Sequence, residues 1–305
     1  MNQAKSVLAV VEPDIIPREV VDRAAWLAGI KGATLELLLC DSEVGPLSEI
    51  PFVSNEARDI AVRIRAAQEE MLAELAAPAR DRGLEVATGV LDKRPIADGI
   101  VHVALDREPL FVVKGTRYQS DAERASLLDT DWRLIRSCPF PLLLVKPHPL
   151  PEHPRVVAAV DPMHAADERG VLDERIVEQA KSLAADAGGE LLLLHAFQPL
   201  RGIGHAATRT FKPIRLPVEE ISEHMEREHR DRLLALAAQH GIDERSVHVL
   251  PGSPRDILPY VARQEKADVV VMGAIARSAR SPDLLGSTAE RVLDHLPCDV
   301  LIVRP

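Results

Sequence analysis

Val269-Val270-Val271-Met272-Gly273, followed by Val300-Leu301-Ile302-Val303-Arg304-Pro305, is a passage the chain contains twice. The earlier copy reads Leu110-Phe111-Val112-Val113-Lys114-Gly115, followed by Leu142-Leu143-Leu144-Val145-Lys146-Pro147. One constant offset superimposes Gly115 on Gly273, Thr130 on Thr288, Arg133 on Arg291 and Pro147 on Pro305. A period of about 150 residues is far longer than a solenoid unit, so each copy is a whole domain. These runs are apolar at every residue rather than at alternate ones, the mark of strands buried on both faces. Between them lie stretches with helical spacing, such as Arg18 to Ile30 and Leu172 to Ala187. Strand–helix alternation gives a parallel sheet with right-handed crossovers.

The expected fold is therefore α/β: two tandem flavodoxin-like domains, each a five-stranded parallel sheet between helices. The expected boundaries are 1–148 and 153–305. The proline-rich stretch from Lys146 to Pro154 joins them as a semi-rigid spacer. In open sheets of this kind ligands sit beyond the carboxyl ends of the strands. The residues just after each strand are thus the ones to read for function.

Bulk properties narrow the function. A net charge of −10 argues against a nucleic-acid surface, and 3% aromatics leave few platforms for stacking bases. No apolar run approaches the roughly 20 residues of a membrane span, and no signal-peptide pattern opens the chain, so a cytoplasmic protein is expected. Cys40, Cys138 and Cys298 form no C-x-x-C unit and read as small buried hydrophobes.

Chemistry gathers after the fourth strand of the second half. There Gly273-Ala274-Ile275-Ala276 is followed, nine residues on, by Gly286-Ser287-Thr288. A glycine at a strand end lets backbone N–H groups approach an anion, and a helix N-terminus favours negative charge. The hydroxyls of Ser287 and Thr288 either cap that helix or hold a phosphate. Asp161 follows the first strand in Val157-Ala158-Ala159-Val160-Asp161-Pro162, and Gly252-Ser253-Pro254 follows the third.

With these motifs the second half resembles the universal stress protein family (the UspA superfamily), whose pattern here is G-x-x-G-x9-G-[ST]. The tandem arrangement resembles that family's two-domain branch. The resemblance implies an adenine nucleotide alpha hydrolase-like fold and a role in surviving stress. In ATP-binding members the groups at these positions hold the nucleotide. That carries the adenine and ribose side onto Asp161 and Ala196, and the phosphates onto Met272, Gly273, Gly286 and Ser287, with Thr288 beside them. Ala276 departs from the pattern, because its methyl stands where a second glycine is expected. The first half departs further: Glu12 replaces the aspartate, Tyr118 stands at the place of Ala276, and Leu128 and Asp129 stand at those of Gly286 and Ser287. No nucleotide is expected there.

Other features read more plainly. Gly202-Ile203-Gly204 lacks the third glycine of a dinucleotide fingerprint. His224 and His229 are poorly spaced for one metal and, beside Glu223, Glu226 and Glu228, read as a solvated face, so no metal site is expected. His195 reads as a satisfied core histidine. The long connection from Gln198 to Pro217 either covers a pocket or buries a contact between domains. No catalytic residue emerges.

Three readings follow. The first is a stress-response protein that acts by binding a small ligand, ATP in the second domain. The second is a carrier or sensor of an apolar, lipid-like ligand. The third, ranked last, is a slow ATPase. The resemblance also implies an intrachain pseudo-dimer through the last strands, and allows a homodimer.

Overall fold

The computed structural model describes residues 5–40, 55–91, 95–116, 124–164, 170–199, 218–273, 292–293 and 295–304. The chain divides into two compact units, residues 1–150 with 299–304, and residues 151–298. The fold is α/β, with mostly parallel strand pairing.

In the first unit the strands are β1 (Ser6–Val11), β2 (Thr34–Leu39), β3 (Val86–Val90), β4 (Phe111–Gly115) and β5 (Leu142–Val145). The helices are α1 (Pro17–Lys31), α2 (Asn55–Asp81), α3 (Ile96–Arg107) and α4 (Arg124–Ser137). The strand order is β3-β2-β1-β4-β5, and these neighbours pair in parallel. Every residue of β1, β4 and β5 is buried. Full burial of a Val or Leu side chain contributes about 1.5–3 kcal/mol, which is why these runs form the centre of the sheet. The edge strand β3 has no fully buried residue. Pro17 opens α1, and Gly32 closes it in a left-handed conformation with φ 58°, so sequence punctuation sets both ends.

The second unit repeats the plan. Its strands are β6 (Arg155–Ala159), β7 (Glu190–Phe197), β8 (Val247–Pro251) and β9 (Val269–Gly273), in the order β9-β6-β7-β8, all parallel. Its helices are α5 (Gly170–Asp186), α6 (Val218–Gln239) and α7 (Pro254–Gln264). The turn into α7 shows what Gly252-Ser253-Pro254 is for. Gly252 has φ 150°, and a side chain there would meet Ile257 Cδ1 at 2.7 Å. Ser253 Oγ then caps the helix by accepting from Arg255 N–H at 3.4 Å, and Pro254 fills the first helical position.

The last strand, β10 (Asp299–Val303), runs antiparallel to β5, with Leu301 opposite Leu143. It belongs to the first unit. Among the described residues no helix is long and apolar enough to cross a membrane.

Candidate functional site

Crossover connections place the carboxyl ends of a parallel sheet along one edge, and the pairing register fixes which residues meet there. In the second unit Asp161 lies just past the end of β6. On one side of β6 stands β7, whose Ala196 pairs with Leu250 of β8. On the other stands β9, which ends in Met272 and Gly273. Four of the predicted residues, Asp161, Ala196, Met272 and Gly273, therefore end three adjacent strands. Gly286, Ser287, Thr288 and the departing Ala276 lie outside the described residues.

Gly273 has a reason to be glycine within the protein itself. A Cβ there would meet Leu172 Cδ2 of α5 at 2.7 Å. The repeat does the same in the first unit, where a Cβ on Gly115 would lie 2.9 Å from the Ile15 carbonyl and 3.0 Å from Ile16 Cγ1. Ile16 reaches that position only in a left-handed conformation, φ 39°, which a β-branched residue rarely adopts. The Ile15 carbonyl and the side chains of Ile15 and Ile16 thus close tightly over the glycine. In the second unit the contact is the tip of one leucine side chain.

Asp161 sits among ionisable groups. Its backbone N–H donates to Asp173 Oδ1 at 3.1 Å. Asp173 lies in the first turn of α5 and is buried, and burial raises its pKa to about 7. His195 Nδ1 lies 3.8 Å from Asp161 Oδ1 and hydrogen-bonds the Val160 carbonyl at 3.0 Å. His195 Nε2 lies 2.8 Å from His229 Nδ1 of α6, and the His229 ring stacks on Phe197 with centroids 4.4 Å apart. Burial lowers the pKa of His195 and, to first order, that of His229 as well. The expectation for His195, a buried and hydrogen-bonded ring, matches its position. His229 differs from its expected place on a solvated face, because Phe197 and His195 draw its ring inward. Asp173 escaped notice because an acid in a first helical turn ordinarily only complements the helix dipole.

The same edge of the first unit is filled. Glu12 stands where the second unit has Asp161, Cys40 where it has Ala196, and Lys114 where it has Met272. Lys114 is 1% exposed. Its Nζ lies 2.5 Å from Glu12 Oε2 and 2.7 Å from Asp131 Oδ1 of α4, and it donates to the Gly115 carbonyl at 3.1 Å. Burial alone would lower the Lys114 pKa, but the two carboxylates outweigh it and the net shift is upward, so the ammonium stays charged. Burial, aided by the Glu12 charge, pushes the Cys40 thiol up and keeps it protonated. The one signal in the sequence was a lysine inside Phe111-Val112-Val113-Lys114-Gly115, opposite methionine in the other copy. Among the described residues no group of three or more His, Cys, Asp or Glu is placed to hold a metal ion.

Comparison with known proteins assigns both halves alike. The model of the "Universal stress protein family" matches residues 4–146 and again 155–304. The chain belongs to the universal stress protein family. "Universal stress protein E" of Salmonella typhi is 32% identical over 198 residues, 64% of this chain and 61% of that protein. The chain thus spans about three-fifths of that relative's length. The protein of the same name from Photorhabdus laumondii aligns over 100% of this chain and 96% of its own length at 23% identity. Among solved structures, a putative universal stress protein from Pseudomonas aeruginosa UCBPP-PA14 shares 26% identity, covering 99% of this chain and 94% of that one, at a TM-score of 0.74. A functionally unknown protein from Pseudomonas aeruginosa PAO1 reaches a TM-score of 0.75 at 25% identity, covering 99% and 93%. A universal stress protein thus has two unlike strand edges in this chain, one closed by a buried ion cluster and one bearing Asp161.

Proposed function

We propose that this universal stress protein acts in the stress response by binding a small ligand, ATP, at the strand edge of its second unit. The first unit binds no nucleotide. The observation that carries this reading is the contrast between the two edges. In the second unit the carboxylate, the β7 terminus and the strand-terminal glycine meet on three neighbouring strands, and among the described residues the Leu172 side chain lies nearest the glycine. In the first unit a buried ammonium clamped by two carboxylates occupies the matching place. An anion approaching there would meet Glu12 and Asp131.

The roles divide by chemistry. Asp161 would accept from ribose hydroxyls. The Met272–Gly273 backbone and the Gly286-Ser287-Thr288 segment would donate to phosphate oxygens.

Calorimetric titration of the full chain with ATP tests this. The wild-type protein is expected to bind one nucleotide saturably. Gly273→Asp should abolish binding, because its carboxylate repels phosphate and its Cβ collides with Leu172. Leu128→Ala, in the first unit, should leave the affinity unchanged. Absence of ATP binding by the wild type would refute the reading. Native mass spectrometry of freshly purified protein would then show whether a lipid-like mass accompanies the chain instead.

A further inference from the structure

The imidazole pair beside Asp161 has a fixed proton arrangement. The Val160 carbonyl can only accept, so the His195 nitrogen facing it, Nδ1 at 3.0 Å, carries a hydrogen. In the neutral ring Nε2 is then bare. It accepts from His229 Nδ1–H across 2.8 Å. His229 Nε2 is left as the next site for a proton, on a ring that is half-buried rather than enclosed. A second proton would set two N–H groups against each other across 2.8 Å, so the pair takes up only one.

We propose that His195 and His229 share a single exchangeable proton and present its charge to the Asp161 carboxylate, making the edge of the second unit sensitive to pH. Proton uptake begins at His229. Transfer of the His229 Nδ1 hydrogen to His195 Nε2 then leaves the inner ring an imidazolium, 3.8 Å from Asp161 Oδ1. No covalent bond other than N–H changes, and the pair gains one proton from water.

The surroundings suit such a relay. Phe197, stacked on His229 at 4.4 Å, holds the outer ring in register. The charged groups bearing on the pair come from three elements. Asp161 follows β6, Asp173 of α5 binds the Asp161 N–H, and Glu228 lies beside His229 on α6. On β8 the residue opposite His195 is the apolar Val249. Burial favours the neutral pair and outweighs Glu228 at His229, so the pair takes up its proton only on acidification below the ordinary histidine range. That this edge is a ligand site is the reading of the preceding section; the relay itself stands on the ring geometry.

The test is a pH titration of the labelled full chain by NMR, following the imidazole nitrogens and the Asp161 carboxyl carbon from mildly acid to mildly basic solution. Both neutral rings are expected as Nδ1–H tautomers. Both rings and the Asp161 carboxyl should share one inflection with uptake of one proton. In His229→Phe, which keeps the stack on Phe197, the Asp161 inflection should be lost. Separate inflections for the two rings with two protons taken up overturn the proposal, and this wild-type result decides even if the variant does not fold. Persistence of the Asp161 inflection in a folded His229→Phe also overturns it. ATP added to the same samples separates the two readings: no ATP binding with the shared inflection intact removes the nucleotide assignment and leaves the relay standing.

Discussion

Lys114 shows how one residue can remake the same strand edge in a repeated fold. Burying an ammonium is costly unless it is paired, and here Glu12 and Asp131 pair it while the Gly115 carbonyl accepts from it. Removing the cation alone would leave two carboxylates facing each other at the edge of the core. Lys114→Met is therefore expected to destabilise the protein by about 3–5 kcal/mol. Adding Glu12→Gln and Asp131→Asn to that change should recover most of the loss. Urea unfolding of the single and triple variants checks both, and equal stability of the two would show that the cluster is not coupled. From sequence alone, Glu12, Leu128 and Asp129 mark where the first half departs from the family pattern. They did not reveal what filled the space, because Asp131 reaches Lys114 from a helix and side-chain reach is not written in strand periodicity. His229 was misplaced for a related reason. Its glutamate neighbours describe a solvated face, but a ring stacked on Phe197 is held by a residue far away in the chain.

At the scale of elements, the strands were the most legible part, because runs apolar at every position have one stable place in an α/β fold. The direction of the final strand was not legible. β10 pairs antiparallel with β5, and a group far off in sequence helps to fix it. Arg23 of α1 donates from Nε to Asp299 Oδ2 at 2.5 Å and from Nη2 to the His148 carbonyl at 2.7 Å. Asp299 Oδ1 accepts from the Lys146 N–H at 2.9 Å. Arg23 is 6% exposed and Asp299 0%, so neither can turn to water if the other is lost. Asp299→Ala should cost about 3–5 kcal/mol, mostly from the stranded guanidinium. The effect should be local as well as global. Amide hydrogen exchange in β5 and β10, at Leu143 and Leu301, should accelerate more than exchange in β6 and β7. Uniform acceleration across both units would mean that the ion pair does not anchor β10 in particular.

For the whole molecule, the buried ionisable groups around Asp161 set opposing demands on pH. His195 and His229 have lowered pKa values when folded, so the unfolded chain binds their protons more readily. Their contribution to stability is complete above the unfolded histidine value of about 6.5 and falls away as the solution is acidified below it. Asp173 acts in the other direction. Its folded pKa of about 7 lies above its unfolded value of 3.8, so the folded state holds that proton more tightly. Its contribution is most favourable below the unfolded value, declines as pH rises toward 7, and stays at its least favourable above that. Between the two limits Asp173 offsets part of the acid sensitivity of the histidines. Asp173→Asn keeps an oxygen for the Asp161 N–H but removes the titration. At pH 8 this variant is expected to be more stable than the wild type, by up to about 4 kcal/mol, the full linkage value of such a shift. The advantage should shrink on acidification and vanish below pH 4, because there the wild-type carboxyl is protonated in both states. Denaturant unfolding of both proteins across this range gives the difference directly. A variant less stable than the wild type at pH 8 would mean that the ionised carboxylate, held by its hydrogen bonds, outweighs its burial.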